Sequence, residues 1–330
     1  MTALRSVGIA GLGNYVPEKR LTNHDLEKIV DTSDEWIVQR TGIRERRIAA
    51  DDQVTRTLAL NAARQALEHA GVDGKDLDLV ICATVTGDQP FPATACRIGR
   101  DLGADSAGGF DVAAACSGFV FASQIASNMV ATGQFNKVLV CGAEILSRIL
   151  DYEDRNTCVL FGDGAGAALF TPLEDANGQG EYLGGSISME GGAEDVLAQP
   201  GGGSRHPATA ETVEKRLHYM KMGGTKVFRF AVRVFASLVR DVVEKYGRDE
   251  IGVIIPHQVN QRIIEAAMEQ CDLPMDLVHS NIERFGNTSA ASVPIALREA
   301  YDAGRLQKGK LVVMPAFGAG MAWGHLLLRW

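Results

Sequence analysis

Short apolar segments alternate with longer amphipathic ones along this chain, and the alternation is the feature that most restricts its fold. Four segments predict buried strands because they are apolar, β-branched and turn-bounded; they are LDLVICATV (77–85), KVLVCGAEI (137–145), GVIIPHQV (252–259) and KLVVMPAF (310–317). Residues 55–71, 117–133 and 261–271 space their apolar side chains as helices do. The pattern predicts a layered α/β fold around a parallel or mixed sheet.

Two pairs of segments resemble each other and predict two similar halves. CVLFGDGAGAALF (158–170) and VMPAFGAGMAWGHLLL (313–328) both predict two strands joined by a glycine turn. Residues 110–126 and 253–267 both predict a strand that runs through a reactive side chain into a helix. We therefore predict an N-terminal half, 1–172, and a C-terminal half, 173–330. The turn-rich stretch 173–215 predicts a surface connection, with a flap beside an active site as the alternative.

Composition excludes several classes of function. A net charge of −8 over 330 residues argues against a general nucleic-acid binder, because binding to phosphates depends on Lys and Arg. Neither a signal peptide nor an apolar run of about 18 residues is recognisable, so no membrane segment is expected. The six cysteines lie in apolar segments without CxxC or metal-ligand spacing. This pattern favours reduced cysteines in a cytoplasmic enzyme without a metal.

The segment FDVAAACSGF (110–119) places Cys116 between an alanine run and a small-residue turn. The unpaired N–H groups and partial positive charge of a helix N-terminus would stabilise a thiolate there. Small neighbours would also let another molecule approach. A buried, unreactive cysteine is the alternative at this position.

Two further polar residues stand in unusual packing contexts. His257, in IIPHQVN, ends a predicted buried strand, where α/β proteins present functional groups. Asn287, in ERFGNTSAASVP, lies in a turn before a run of tiny residues and could donate a hydrogen bond to a developing oxyanion. A structural histidine and simple tight packing are the alternatives.

Cys, His and Asn together point to nucleophilic catalysis on a carbonyl. Cysteine hydrolases use the same residue types, but the alanine-rich, apolar surroundings favour acyl transfer in a dry site. GLGNYVP (11–17) and GDGAG (162–166) complete neither nucleotide-binding motif and predict tight turns within the sheet.

The chain resembles the β-ketoacyl-acyl-carrier-protein synthase III family of condensing enzymes. The segments that carry the resemblance are DTSDEWIVQRTGI (31–43), FDVAAACSGF, RNTCVLFGDGAGAA (155–168), IIPHQVNQRII, ERFGNTSAASVPIAL and AFGAGMAWG (316–324). The resemblance implies the thiolase fold, with two similar α/β halves in a five-layer α-β-α-β-α arrangement, and a homodimer.

The resemblance also implies a decarboxylating Claisen condensation that initiates type II fatty acid synthesis. Cys116 would take an acyl group from acyl-CoA, which is a substrate and not a cofactor; no cofactor is implied. His257 and Asn287 would stabilise the enolate formed when malonyl-acyl-carrier-protein loses carbon dioxide. His257 is then expected to be neutral and to donate from Nε2.

Further residues receive roles by the same resemblance. The backbone N–H groups of Cys116 and Ala319 would form the oxyanion hole, with FGAG here where relatives read FGGG. The expected CoA-binding residues are Trp36, Arg40, Arg155, Gly224, Asn260 and Phe317. Arg262 and Arg229 would dock the acidic carrier protein, on a patch that Glu269 and Gln270 make less basic. Phe91, Leu146 and Phe161 would line the acyl pocket, Phe91 from the neighbouring subunit.

Three other functions remain open at the level of sequence. A related acyltransferase or condensing enzyme of secondary metabolism would keep the same three residues. A cysteine hydrolase would admit water and release free acid. A non-catalytic binding protein would leave Cys116 as an unreactive core thiol.

Overall fold

The computed structural model describes residues 4–192 and 194–330. Its strands are β1 (Val7–Tyr15), β2 (Arg20–Thr22), β3 (Glu45–Arg47), β4 (Leu79–Ala83), β5 (Gly108–Val112), β6 (Val138–Glu144), β7 (Gly164–Pro172), β8 (Glu181–Met189), β9 (Leu197–Ala198), β10 (Lys221–Met222), β11 (Ile251–Ile254), β12 (Leu311–Gly318) and β13 (Ala322–Arg329). Its α-helices are α1 (Asn23–Leu26), α2 (Asp34–Thr41), α3 (Thr55–Ala70), α4 (Thr94–Asp101), α5 (Gly118–Ala131), α6 (Ala210–Glu214), α7 (Gly224–Tyr246), α8 (Gln261–Gln270), α9 (Ile282–Phe285) and α10 (Ser292–Asp302).

Two mixed sheets carry the same strand order. The first runs β1-β7-β6-β4-β5, with β4 parallel to β5 and β6 and the remaining pairs antiparallel. The second runs β8-β13-β12-β11, with β11 parallel to β12 and the remaining pairs antiparallel. A single parallel bridge from Ile254 to Val278 takes the place that β5 has in the first sheet. The second sheet therefore repeats the topology of the first.

Helices cover both faces of each sheet. α5 and α10 pack in one apolar cluster with strands of both sheets and so lie between them. α3 and α4 cover the outer face of the first sheet, and α7 and α8 cover that of the second. These five layers are the predicted thiolase-type arrangement, and the fold class is confirmed. The predicted boundary at residue 172, the last residue of β7, remains a prediction.

Three local predictions are wrong. Residues 158–160 form a turn, and Phe161 makes only an isolated bridge to Asn287, so the counterpart of the β12–β13 pair is β6–β7 and not 158–170. The stretch 173–215 contains β8, which pairs with β13 over the length of that strand. The glycines of GLGNY lie inside β1 and not in a turn. A Cβ on Gly11 would sit 2.0 Å from the Ala66 carbonyl oxygen of α3, so only glycine fits there. These glycines serve close packing of helix on strand and not a turn.

Within the described part of the chain, no helix is both long enough and apolar enough to cross a membrane.

Candidate active site

Cys116 lies in a strained turn between β5 and α5. After Val112 the backbone reaches Ala115, which has a φ of 45° in the left-handed region, and a 3-10 turn over Ala115–Ser117 leads directly into α5. A non-glycine residue with such a φ is uncommon and is held by its surroundings. The turn buries the thiol, which is 6% exposed. Cys116 thus lies at the head of α5, as predicted, inside the short turn that leads into the helix.

Asn287 and the residues after it form the equivalent turn in the second half. Ser289 has a φ of 49°, and the 3-10 turn Ser289–Ala291 leads into α10, as Ala115–Ser117 leads into α5. The backbone N–H of Ser289 donates to Asn287 Oδ1 at 2.8 Å and fixes the amide. The structural counterpart of the Cys116 turn is therefore the Asn287 turn, and the predicted correspondence with the His257 segment is wrong.

The two turns approach each other because small residues line their contact. A Cβ on Gly142 of β6 would lie 2.3 Å from the Ala290 carbonyl oxygen, and a Cβ on Gly118 would lie 3.5 Å from the Ala290 Cβ. Gly318 plays the same part on the other side, where a Cβ would lie 2.7 Å from the Cys116 nitrogen. The tiny residues of both motifs thus serve the approach of one turn to the other.

His257 follows β11 and is fixed at its backbone and at one ring nitrogen. Its backbone N–H donates to the Pro315 carbonyl at 2.9 Å, and its Nδ1 lies 2.7 Å from Ser292 Oγ. Nε2 is buried and lacks a hydrogen-bond partner among the described residues. The Phe317 ring meets the imidazole edge-on, with ring centroids 5.6 Å apart. One ring nitrogen is therefore held, and the other is left for a ligand.

Cys116, His257 and Asn287 line one small apolar cavity. Its volume is about 40 Å³, and its other lining residues are Leu160, Phe161, Leu197, Met222, Val227, Phe230, Val259, Phe317, Gly318 and Met321. The sequence-predicted triad is therefore brought together by the fold. Phe317, expected to contact CoA, lies here at the inner end and not in the outer groove described below.

Burial sets the ionisation of the two reactive side chains. It lowers the pKa of His257 to about 3, so the imidazole is neutral at physiological pH. It also raises the pKa of the Cys116 thiol to about 12, although the neighbouring Ser289 side chain partly opposes this shift. The site therefore has a neutral imidazole and a protonated thiol that needs a base.

Glu144, at the end of β6, is a buried carboxyl that the sequence interpretation missed. It is 0% exposed, and burial raises its pKa to about 7 despite four hydrogen-bonding neighbours. Those neighbours are Thr84, Val85, Thr86 and Ser289. The signal was present, because an acidic residue stands inside the otherwise apolar strand KVLVCGAEI.

A second cavity opens from Cys116 towards the residues predicted to hold the acyl chain. It measures about 190 Å³ and is lined by Val85, Ala115, Cys116, Leu146, Ile149, Phe161, Leu197, Ala198, Gln199, Met220, Ser289 and Ala319. Leu146 and Phe161 are thus placed together beside the thiol. Leu197 and Met220 come from the irregular region between β8 and α7, which lies beside the site. Phe91 is 82% exposed and does not reach this cavity.

An outer groove of about 660 Å³ meets the inner cavity. Five predicted residues line it, namely Trp36, Arg40, Arg155, Gly224 and Asn260, together with Arg229 and Arg262. Four residues, Leu160, Met222, Val227 and Val259, border both the groove and the Cys116 cavity. They mark an apolar passage from the surface to the thiol.

Trp36 is covered by two cations in the groove. The Arg40 guanidinium lies 4.8 Å and the Arg155 guanidinium 5.3 Å from its ring centroid. Arg155 also donates to the Asp31 carbonyl at 2.9 Å. Because Arg155 lies over the indole itself, an adenine stacked between them requires Arg155 to move aside. Asn260 caps α8 and donates to the Arg40 carbonyl at 3.0 Å, a structural role that the sequence did not indicate.

No group of three or more His, Cys, Asp or Glu side chains is placed to hold a metal ion in residues 4–192 and 194–330.

Ala319 begins a 3-10 turn after β12, next to Gly318 and against Cys116. Its backbone is thereby placed close to the thiol. The exposed Arg229 and Arg262 lie at the mouth of the groove.

Comparison with known proteins identifies the family of this chain. Residues 110–185 match the family model described as 3-oxoacyl-[acyl-carrier-protein (ACP)] synthase III, and residues 244–330 match the model of its C-terminal part. The β-ketoacyl-[acyl-carrier-protein] synthase III of Caldanaerobacter subterraneus subsp. tengcongensis is 51% identical over 327 residues, 98% of each chain. The chain belongs to the synthase III family.

Solved structures of similar proteins have the same fold. The 3-oxoacyl-[acyl-carrier-protein] synthase III of Aquifex aeolicus is 45% identical with a TM-score of 0.89, over 98% of this chain and all of that one. A priming β-ketosynthase from the R1128 polyketide pathway is 34% identical with a TM-score of 0.90, over 100% of this chain and 98% of that one. The resemblance inferred from the sequence motifs is confirmed at the level of family and fold.

Proposed function

We propose that this protein is an acyltransferase that condenses a short acyl-CoA with malonyl-acyl-carrier-protein to give 3-ketoacyl-acyl-carrier-protein, the first condensation of type II fatty acid synthesis. The observation that carries the proposal is the meeting of Cys116, His257 and Asn287 in one apolar cavity that opens to a groove lined by arginines. Acyl-CoA is a substrate, and the proposal includes no cofactor.

The acyl group enters through the outer groove. Trp36 offers one flat face to the adenine and Arg155, once moved aside, covers the other, while Arg40 offers positive charge to the phosphates. The pantetheine arm then runs along the apolar passage to Cys116. The thiolate attacks the thioester carbonyl, and the backbone N–H groups of Cys116 and Ala319 donate to the oxyanion that forms. CoA leaves, and the acyl chain occupies the cavity lined by Leu146 and Phe161.

Condensation follows once malonyl-carrier-protein replaces CoA. Loss of carbon dioxide leaves negative charge on the thioester oxygen, and the Asn287 amide and His257 Nε2–H donate to it. Neutral imidazole suits this task, because it donates a hydrogen bond without giving up a proton. The enolate carbon attacks the acyl-Cys116 carbonyl, and Cys116 leaves. The dry cavity disfavours hydrolysis of the thioester.

The carrier protein is proposed to dock at the mouth of the groove. Arg229 and Arg262 are exposed there and supply the charge that attracts an acidic partner. Glu269 and Gln270, at the exposed end of α8, add no positive charge to this surface. Docking is therefore expected to depend mainly on the two arginines.

The enzyme is proposed to act as a homodimer through β5. This strand ends its sheet and leaves one row of backbone groups without a neighbouring strand among the described residues. The Asp111 carboxylate of β5 accepts from the backbone N–H groups of Thr94 and Ala95 at 2.7 and 2.8 Å, which ties the loop carrying the exposed Phe91 to this edge. Pairing of two copies along β5 would cover the edge and carry Phe91 towards the partner's acyl cavity. With all six cysteines free, we expect the dimer to work in the reducing cytoplasm.

A priming condensation in a secondary pathway is the second candidate, because a polyketide priming ketosynthase shares the fold at 34% identity. The two candidates share Cys116 chemistry and differ in the acceptor to which the acyl group is transferred. Turnover with fatty-acid and polyketide carrier proteins, compared side by side, separates them.

Two variants test the assignment of roles. Cys116→Ala should abolish acylation by acyl-CoA but keep measurable decarboxylation of malonyl-carrier-protein. His257→Ala should take the acyl group and lose decarboxylation by about 100-fold or more. Intact mass reports the first activity, and release of carbon dioxide reports the second. The reverse pattern would overturn the assignment.

A further inference from the structure

We propose that Ser289 and Glu144 form a proton relay that takes the thiol proton of Cys116 when an acyl group arrives. The inference rests on the proposed function, since it concerns how the nucleophile of that reaction is activated. Cys116, His257 and Asn287 act as nucleophile and hydrogen-bond donors, so none of them serves as the general base. The relay supplies that base.

The geometry places the three groups in a row. Ser289 and Cys116 lie side by side in the wall of one cavity, and the Ser289 hydroxyl donates to Glu144 Oε1 at 3.4 Å. Ser289 is held there by its left-handed backbone, with a φ of 49°, at the start of the turn that packs against the Cys116 turn. All three side chains are buried, at 6%, 2% and 0% exposure for Cys116, Ser289 and Glu144. The thiol proton therefore has a short path that does not cross solvent.

His257 cannot serve as this base while it performs its other task. Donation to the enolate requires a proton on Nε2, and a nitrogen that already carries a proton cannot accept one from the thiol. Its pKa of about 3 also makes the imidazole a weak base. Glu144, with a pKa of about 7, is much better matched to accept a proton near neutrality.

The surroundings of Glu144 are built for a carboxylate that changes its charge. Its oxygens accept from the Thr84 hydroxyl and the Val85 N–H at 3.2 Å, and also from the Thr86 hydroxyl. No salt bridge to Glu144 occurs in the part of the chain that the structure describes. The titratable groups on which its charge acts are two buried thiols, those of Cys116 and of Cys82 on β4, and it raises the pKa of both. The hydrogen-bond donors that position the Glu144 carboxylate are thus uncharged, and the carboxylate can still take up a proton.

The proton transfer conserves the buried charge. Cys116 loses its proton to Ser289 Oγ as the Ser289 hydroxyl proton passes to Glu144 Oε1, which changes a thiol and a carboxylate into a thiolate and a carboxylic acid. One negative charge is buried before and after, so no second charge has to be desolvated. The thiolate attacks the acyl-CoA carbonyl, the C–S bond to CoA breaks, and the CoA thiolate takes a proton from solvent. When Cys116 leaves in the condensation step, the proton on Glu144 returns to it through Ser289.

The pH dependence of a single acylation event tests the relay. Acetyl-CoA and butyryl-CoA are the probes, and acyl-Cys116 is measured by quenched intact mass from pH 6 to 9.5. The wild-type rate should rise as Glu144 ionises and level off above about pH 8, one unit above its pKa. Ser289→Ala should slow acylation about 100-fold at pH 7, and its rate should go on rising with pH because hydroxide replaces the relay. Glu144→Gln should give the same altered profile.

Two measurements separate this role from a structural one. Ser289→Ala keeps the backbone N–H that fixes Asn287, so decarboxylation of malonyl-carrier-protein should stay at the wild-type rate. Ser123→Ala is the matched control, because this buried hydroxyl of α5 has no partner among the described residues and lies outside the site. An unchanged Ser289→Ala profile, or a deficit of the same size at every pH, would overturn the relay alone. A wild-type protein that takes no acyl group at any pH would overturn both the relay and the proposed function.

Discussion

Ser292 Oγ lies 2.7 Å from Nδ1 of His257 and 2.8 Å from the Ser289 carbonyl oxygen. The hydroxyl has one proton and can donate it to only one of the two. If it donates to Nδ1, the neutral imidazole carries its proton on Nε2, as stabilisation of the enolate requires. Donation to the Ser289 carbonyl would instead leave Nε2 without a proton. The proposed chemistry therefore depends on the direction of the Ser292 hydroxyl.

Substitution of Ser292 should impair decarboxylation more than acylation. In Ser292→Ala the imidazole loses the partner that fixes its tautomer, and we expect a decrease of about 10- to 100-fold in the decarboxylation rate. Acylation of Cys116 should stay close to the wild-type rate. Nitrogen NMR of labelled His257 checks the cause directly, with a protonated Nε2 expected in the wild type. Ser127→Ala, another buried hydroxyl without a partner among the described residues, should leave both rates unchanged.

Decarboxylation should show no inflection from His257 near pH 6.5. Burial lowers the pKa of this imidazole to about 3, so it stays neutral and able to donate throughout the neutral and mildly acidic range. The Cys116→Ala variant, which decarboxylates without acylation, isolates this step. A loss of rate with an apparent pKa of 6 to 7 that disappears in His257→Gln would contradict the assignment.

The same shift predicts lower stability in acid. As pH falls below 6.5, the ordinary pKa of histidine, His257 becomes protonated in the unfolded chain. In the folded protein its imidazole stays neutral down to about pH 3. The contribution of His257 to the free energy of unfolding therefore decreases from pH 6.5 downward. Denaturant unfolding at pH 7 and pH 5 should show a smaller loss of stability in His257→Gln than in the wild type. An equal loss in both proteins would show that the imidazole is not buried as described.

Trp36 should contribute to binding of CoA and not to chemistry. Trp36→Ala removes the flat surface and should raise the KM for acyl-CoA about 5- to 30-fold, which corresponds to about 1 to 2 kcal/mol. The rate of malonyl decarboxylation should not change, because malonyl-carrier-protein brings no adenine. Trp36→Phe is the matched control and should keep much of the affinity. Equal effects on both activities would point to a role of Trp36 in the fold of the α2 region.

Gly318 should tolerate no side chain beside the thiol. The added Cβ in Gly318→Ala would lie 2.7 Å from the Cys116 nitrogen and 3.0 Å from its Cβ, so the turn that carries the nucleophile must shift. We expect acylation to fall by about 100-fold, the scale of losing one oxyanion-hole donor. Gly203→Ala is the control, since the Cβ that it adds would have no neighbour within 4 Å and its φ lies outside the left-handed region. Wild-type acylation by Gly318→Ala would contradict the placement of this segment.

Periodicity and motif context predicted the elements that carry the site. The strands before Cys116 and His257 and the helices after them lie where the alternation of apolar and amphipathic segments placed them. The repeat of the two halves was predicted, but from the wrong pair of segments. Shared chemistry suggested that the Cys116 and His257 segments correspond, whereas backbone geometry relates Cys116 to Asn287. Composition cannot reveal a left-handed φ at Ala115 or Ser289, since neither residue favours it.

Long-range packing accounts for the contacts that local sequence patterns did not indicate. Glu144 is buried beside Ser289 because β6 ends under the turn before α10, a contact across 145 positions of the chain. Leu197 reaches the acyl cavity from the stretch 173–215, for which the sequence favoured a surface connection over a flap beside an active site, and Met220 reaches it from just beyond that stretch. In each case a residue gains its role from an element that is distant in sequence, and local patterns carry no trace of the partner.

The fate of an acyl group on Cys116 tests the central claim most directly. The wild-type protein is loaded with an acyl-CoA, freed of excess CoA and mixed with malonyl-carrier-protein, and both proteins are followed by intact mass. The proposal predicts that the acyl adduct on Cys116 disappears as 3-ketoacyl-carrier-protein appears in equal amount. Release of free acid without a 3-ketoacyl product, or the absence of any adduct on Cys116, would contradict it.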